Sequence, residues 1–457
     1  MDALCDTLLL EEILPRLPPK PLLRLGATSR RYNALAHRPD FASRYWHRAG
    51  VIFQPFDQPK EVTPRFLTAA QDHAAFALPG ADLAFLPGPS AHEAANLRRA
   101  GDDPDGGFAV LHSAGGLLLC SRGRTRALHL YVCNPVTGQW VALPEVPLPV
   151  CKRHCAHLTV SGGGADDNGA MVAFKVVLAN HASHWTGPRG GQLDLRVFAS
   201  DTGRWEARRF PATVIAGDVD LDYFNFRLPP MLGPSGTSYR MSYGSNLVVA
   251  FNGSAASASD DSLLRVITLP YYVCLVGGGE RNLCIGERHG GGLRYVESNR
   301  RVLQVWDAPQ GSGGHRHGVS SWTLVHRVGA AELVERNPGA AAFLRYKNPS
   351  TWDHQHLKPV GVHPTDDDII FVALPGAVVA YSIEHGTVSL GCRNDDGFVT
   401  AADTFPYVHP PFPLQIPAIK TSTLTLPDNG GSPTFLASET EGARKRRKIF
   451  TEPHGRF

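Results

Sequence analysis

Leu130-Tyr131-Val132-Cys133-Asn134-Pro135-Val136-Thr137-Gly138-Gln139-Trp140 and Leu195-Arg196-Val197-Phe198-Ala199-Ser200-Asp201-Thr202-Gly203-Arg204-Trp205 have the same internal spacing. Each sets an alternating apolar run ahead of Thr-Gly-x-Trp. The pattern predicts strand, tight turn, strand, with glycine supplying the positive φ that the turn needs. A degenerate third copy spans 378–388, with His385-Gly386-Thr387-Val388 at its turn. A fourth is stretched by a Gly/Ser/His insertion and runs from Leu303-Gln304-Val305-Trp306 to Trp322-Thr323-Leu324-Val325. Repeated hairpins at blade-length multiples predict a β-propeller. Further strands are predicted at 116–121, 174–178, 247–251, 263–269 and 368–373. At roughly 50 residues per blade, residues 61–415 hold six or seven blades. A β-sandwich, or two smaller β domains, is the alternative on pattern alone.

Residues 8–47, LLLEEILPRLPPKPLLRLGATSRRYNALAHRPDFASRYWH, follow a different period. Leu9, Ile13, Leu14 and Leu17 fall at helical spacing, and Asp6 or Thr7 is positioned to cap that helix. Pro18 and Pro19 end it, and Pro21 suits the first turn of a second helix carrying Leu22 and Leu25. Helical stretches follow at 30–36 and 41–48. So much aliphatic surface exceeds what about forty residues hide internally, so some of it must meet another surface, a binding partner or, as the alternative, the rest of this chain.

The run Glu12-Ile13-Leu14-Pro15-Arg16-Leu17-Pro18-Pro19-Lys20-Pro21-Leu22-Leu23-Arg24-Leu25, continued by Ser29-Arg30-Arg31-Tyr32 and Asp40-Phe41, resembles the F-box of the large plant F-box families. That resemblance implies a face for the Skp adaptor of a cullin-based ubiquitin ligase, made by Leu9, Ile13, Leu14, Leu17, Pro18, Leu22, Leu25 and Tyr32. Three positions depart from the family pattern. Leu4-Cys5 stands for the early Leu-Pro, Tyr32 for the usual tryptophan and Thr28 for a nearby cysteine. The later phrases GGLLLCSRG, LYVCNPVTGQWVALP, FKVVL, LRVFASDTGRW and VGVHPTDDDIIFVALPGAVVAYSIEHG resemble the F-box-associated region that follows plant F-boxes, here kelch-like. The expected fold class is therefore α plus all-β, multidomain. It comprises a helical F-box at 4–50, a linker at 51–60, the propeller at 61–415 and a disordered basic tail at 416–457.

Composition fits that division. The 457 residues are 43% hydrophobic, with Gly 46 and Pro 36 against Met 4, as many turns and short strands require. Net charge is +3, but residues 1–50 carry +3 and 421–457 carry +2, leaving the middle at −2. Such a core lacks the electrostatic footprint of a nucleic-acid binder. The first residues read as no secretory signal, and the apolar runs are too short for a membrane span. Eight cysteines without a CxxC pair fit a reducing compartment.

Candidate chemistry is sparse. Cys151, His154, Cys155 and His157 cluster, but their spacing matches no zinc-finger pattern. His315/His317 and His354/His356 alternate without an implied carboxylate partner. Asp366-Asp367-Asp368 reads as a solvated turn, since a calcium loop needs spaced acids and a following glycine. The glycine clusters at 162–164, 277–279 and 290–292 lack a phosphate-cradling arrangement, and no GxSxG elbow occurs. No cofactor, metal site or catalytic residue is expected, and the chain reads as a non-catalytic receptor. Trp185, Tyr223, Phe224 and Trp352 suit a target groove, though core filling explains them equally. In the tail, Arg444-Lys445-Arg446-Arg447-Lys448 reads as a nuclear-import run, giving nucleus and cytoplasm as expected locations. Expected partners are the Skp-type adaptor, through it the cullin and RING subunits, and an unidentified target protein. The alternative is an adaptor-independent scaffold or nuclear cofactor with a decayed F-box.

Overall fold

In the computed structural model the described residues are 4–17, 19–45, 48–55, 63–69, 78–123, 129–146, 156–161, 172–179, 192–211, 230–241, 246–253, 264–270, 282–299, 302–309, 321–340, 357–393, 399–409 and 414–419. Residues Met1–Lys420 form one compact unit.

The amino end is helical, as its periodicity predicts. An α-helical turn α1 (Asp6–Leu8) passes into a π-helical turn at Leu9–Ile13 and a 3₁₀ turn at Leu14–Arg16, where Pro15 fits the first positions. The N-cap is Cys5, without a side-chain cap; Asp6 is instead inside the first turn, gripped by Arg31. Then come α2 (Pro19–Thr28), α3 (Arg30–Ala36) and α4 (Pro39–Tyr45). Pro19 and Pro21 both occupy the first turn of α2, where a missing N–H costs nothing. Helix α4 ends sooner than the predicted 48, because Arg48 already begins a strand.

Twenty-three strands form six antiparallel sheets among the described residues. The first holds β1 (Arg48–Phe53), β2 (Arg65–Leu67) and, from the far end of the chain, β23 (Thr404–His409), in the order β2-β1-β23. Five four-stranded sheets follow in chain order. They are β3 (Ala109–Ala114), β4 (Leu117–Arg122), β5 (His129–Asn134), β6 (Gln139–Ala142); β7 (Ala156–Ser161), β8 (Ala173–Ala179), β9 (Gln192–Ala199), β10 (Arg204–Pro211); and β11 (Met231–Leu232), β12 (Ser238–Met241), β13 (Leu247–Phe251), β14 (Leu264–Thr268). The last two are β15 (Leu283–Glu287), β16 (Leu293–Ser298), β17 (Val302–Ala308), β18 (Thr323–Gly329), and β19 (Lys358–Val362), β20 (Ile369–Leu374), β21 (Ala377–Ser382), β22 (Val388–Arg393). The first strand of each four-stranded sheet, with β23, stands innermost. Contacts β3–β7, β11–β15, β15–β19, β19–β23 and β23–β3 run around the ring. This is a six-bladed β-propeller, which settles the choice between six and seven blades.

Blades bury both sheet faces against their neighbours, so β4, β20 and β21 are buried along their whole length. The ring is closed by pairing the chain's two ends: all six residues of β1 pair with β23, from Arg48 opposite His409 to Phe53 opposite Thr404. This corrects the predicted boundary. Residues 51–53 are central strand rather than linker, and the propeller begins at Arg48. At the other end, 414–419 are also placed: Leu414 is buried, and Ile416 and Ile419 pack against the core between the second and third blades. The predicted tail boundary at 416 thus cuts through a packed segment. β11 lies against both β15 and β23, and the space lined by Val51, Met231, Pro234, Glu287, Gly361 and Thr404 has room for about one water.

Candidate functional site

The helices are a built unit rather than a loose lead. Arg31 of α3 reaches back to the start of the chain, donating Nε (3.1 Å) and Nη2 (2.7 Å) to Asp6 Oδ1 and Nη2 (2.5 Å) to the Leu4 carbonyl. Phe41 and Tyr45, one helical turn apart, stack with ring centroids 5.1 Å apart. The Tyr45 hydroxyl donates to the Leu17 carbonyl, and Arg48 donates to the Tyr45 carbonyl while lying over its ring. Burial pushes the Tyr45 hydroxyl up to about 12, partly countered by Arg48.

One hydrophobic cluster contains Leu9, Leu10, Leu14, Leu22, Tyr32, Leu35 and Phe41 together with Ile52, Phe405 and Tyr407 of the closing blade and Leu118, Cys120, Tyr131 and Cys133 of the next. The helices therefore belong to the core at the seam where the ring closes. Helix α5 (Ala91–Ala100) stands near the same seam. Its N-cap Ser90 forms a capping box with Glu93, and the Glu93 carboxylate accepts the Tyr131 hydroxyl at 2.9 Å. Ser-x-x-Glu ahead of Leu97 is the local sequence signal for this helix start. Burial first, and Glu93 second, raise the Tyr131 hydroxyl well above its usual value.

The residues expected on the adaptor face divide. Leu9 (1% exposed), Leu14 (0%), Leu22 (1%) and Tyr32 (6%) are sealed in the cluster, so they support the surface without forming it. Ile13, Leu17 and Leu25 are half-buried at its margin. Pro18 lies outside the described residues. Leu8, absent from the expected set, is 40% exposed. Its position one residue before the stripe of Leu9 and Ile13 gave no reason to select it.

Cys151, His154, Cys155, His315, His317, His354, His356, Trp185, Tyr223, Phe224, Trp352 and the run 444–448 lie outside the described residues. His157 is buried on β7, its ring 5.6 Å from that of His112 and 4.5 Å from Phe251. Among the described residues no group of three or more His, Cys, Asp or Glu is disposed to hold a metal. Asp366-Asp367-Asp368 forms a turn with Asp366 exposed, as expected, but Asp367 and Asp368 are half-buried and hydrogen-bonded. Asp366 accepts the Asp368 N–H, Asp367 accepts the His289 N–H (2.9 Å) and Arg288 (3.0 Å), and Asp368 accepts the Ser382 hydroxyl (2.5 Å) and the Glu384 N–H (2.6 Å). These acids pin the fifth blade to the sixth and fasten the β21–β22 turn. Ser382, His385 and Asp368 meet there, but the hydroxyl donates straight to the carboxylate, and His385 Nδ1 stands beside the pair, 3.1 Å from the hydroxyl and 3.9 Å from the carboxylate. A nucleophilic triad needs the imidazole between the two. The cluster makes a turn.

Comparison with known proteins agrees with this architecture. A family model described as F-box protein At3g26010-like, beta-propeller, matches residues 94–380. The chain belongs to that family of F-box proteins with a β-propeller. The match lies within the propeller and starts inside α5, so the helices at 6–45 are outside it. No curated protein matches the sequence. Among solved structures, TolB from Acinetobacter baumannii is 9% identical, covering 80% of this chain and 67% of its own, with a TM-score of 0.36. A protein from Lactobacillus plantarum is 10% identical over 79% of this chain and 99% of its own, with a TM-score of 0.32. A prolyl endopeptidase structure is 11% identical over 81% and 54%, with a TM-score of 0.29.

Proposed function

We propose that this chain is the substrate-receptor subunit of a cullin-type ubiquitin ligase, engaging a Skp-type adaptor through its amino-terminal helices and a target protein through the propeller. The observation that supports it most is the architecture: a compact helical unit, F-box-like in sequence, is built into the closing seam of an F-box-family propeller. Its contribution is positional. A target held on the propeller stands at raised effective concentration beside a ubiquitin-charged enzyme, and the chain itself makes or breaks no bond. On this reading the adaptor contacts the open margin of the helices, Leu8, Ile13, Leu17 and Leu25, while Leu9, Leu14, Leu22 and Tyr32 hold that margin in shape.

Co-purification with a Skp-type adaptor tests this. Full-length chain should retain the adaptor, and Ile13→Asp plus Leu17→Asp should weaken retention at least about tenfold, since each such anchor contributes roughly 1.5–3 kcal/mol. Leu8→Asp, at an exposed position, should weaken it without lowering the melting temperature. A well-folded chain that ignores the adaptor would favour a second reading, an adaptor-independent scaffold or nuclear cofactor. The sealing of Leu9, Leu14, Leu22 and Tyr32 supports that reading, because those side chains already have an internal partner. The run 444–448 is proposed to direct nuclear import, distributing the protein between nucleus and cytoplasm. Deleting it should move a fluorescent fusion toward the cytoplasm, and an unchanged distribution removes the proposal.

A further inference from the structure

After the closing strand the chain does not leave the propeller at once. Residues 414–419, Leu-Gln-Ile-Pro-Ala-Ile, are bound along the boundary of the second and third blades, and they are held as a peptide ligand would be. Three contacts address the backbone alone. Asn134 Nδ2 donates to the Leu414 carbonyl (3.1 Å), the Val172 N–H donates to the Gln415 carbonyl (3.4 Å), and the Ile416 N–H donates to Gln139 Oε1 (3.3 Å). Asn134 is set for this by its own turn, for its Oδ1 accepts the N–H groups of Val136 and Thr137, leaving the amide nitrogen aimed outward. Side chains are sorted by alternation. Leu414 is 8% exposed and Ile416 is half-buried, while Gln415 between them faces solvent. The apolar floor is the cluster with Leu119, Leu130, Val132 and Phe174, edged by half-buried Val141, Val160 and Trp205.

Side-chain amides that read main chain, beside pockets that take every second side chain, are the physical recipe for binding an extended segment of any origin. We propose that this boundary is a peptide-docking groove occupied in cis by residues 414–419, and that its trans occupant is an extended target segment with aliphatic side chains two residues apart and a polar or small residue between. The inference deepens the receptor reading by naming the kind of target it takes, and it rests on that reading only for the word target. Because 414–419 follow β23 after four residues, the cis segment competes at an effective concentration of the order of millimolar. Occupation in trans therefore requires either a tighter segment or a displaced strap.

The test uses full-length protein without adaptor, so that its failure is separate from failure of ligase assembly. A fluorescently labelled peptide of sequence 412–421 is titrated into wild type and into the Leu414→Asp plus Ile416→Asp variant. The variant should keep one cooperative thermal transition and bind the peptide at least about tenfold more tightly than wild type, whose groove is filled. A peptide carrying aspartate in place of its Leu414 should fail to bind. Loss of cooperative folding in the variant would show that 414–419 are an integral part of the core. No binding to a well-folded variant, or equal binding of the aspartate peptide, would show that no groove exists. Any of those three results overturns the proposal.

Discussion

Gly138, Gly203 and Gly386 stand at φ +70°, +66° and +66°, and each donates its N–H to the carbonyl four residues back, at 2.9 Å in all three. One residue type is reused because only glycine enters that region without a Cβ penalty. A quite different residue carries a sharper prediction. His112 on β3 is fully buried against His157 and the Gly236 loop, and burial pushes its imidazole down to about 4, only partly offset by the Gly236 and Ser113 main chain. The unfolded chain takes up that proton near pH 6.5, whereas the folded ring refuses it until about pH 4. Stability therefore falls as pH drops through this window, by roughly 3 kcal/mol in total from this one group, and not further below it. His112→Gln should flatten the dependence of the urea midpoint between pH 6.5 and 4. An unchanged slope would mean the ring protonates without cost.

At the scale of elements, all four hairpins picked out by their spacing become the outer hairpin of a blade: β5–β6, β9–β10, β17–β18 and β21–β22. Their tryptophans also stitch blades together. Trp205 Nε1 donates to the Pro144 carbonyl of the preceding blade (3.0 Å), and Trp322 Nε1 donates to Thr268 at the end of β14 (2.8 Å). Trp140 remains 41% exposed, and among the described residues the sheet of the blade before it, β2-β1-β23, has three strands. The closing element is the vulnerable one. β23 supplies the innermost strand of the first blade, and its pairing with β1 joins positions more than 350 residues apart. A chain ended before Thr404 should show no cooperative melt, whereas one ended at Lys420, where the compact unit stops, should melt like the full-length protein. A cooperative transition in the shorter chain would mean the ring does not depend on this closure.

For the whole molecule, local spacing was enough to read the repeat, the all-β body, the glycine turns and the helical amino end. A turn of four or five residues is settled by its own φ angles and side-chain hydrogen bonds. Blade number, the strand at Arg48–Phe53, the packed segment at 414–419 and the work of Asp366-Asp367-Asp368 were not legible. Each depends on partners far away in sequence: β1 on β23, Leu414 on Asn134, Asp367 on Arg288. The adaptor face shows the same division inside a single motif. Sequence determined that Leu9, Ile13, Leu14 and Leu17 share one apolar stripe and that Leu22 and Leu25 lie on the next helix, since helical period is a property of each helix alone. Only the tertiary structure decided which of them are spent on the chain's own seam and which stay at its margin, because burial is a property of the surface that arrives opposite.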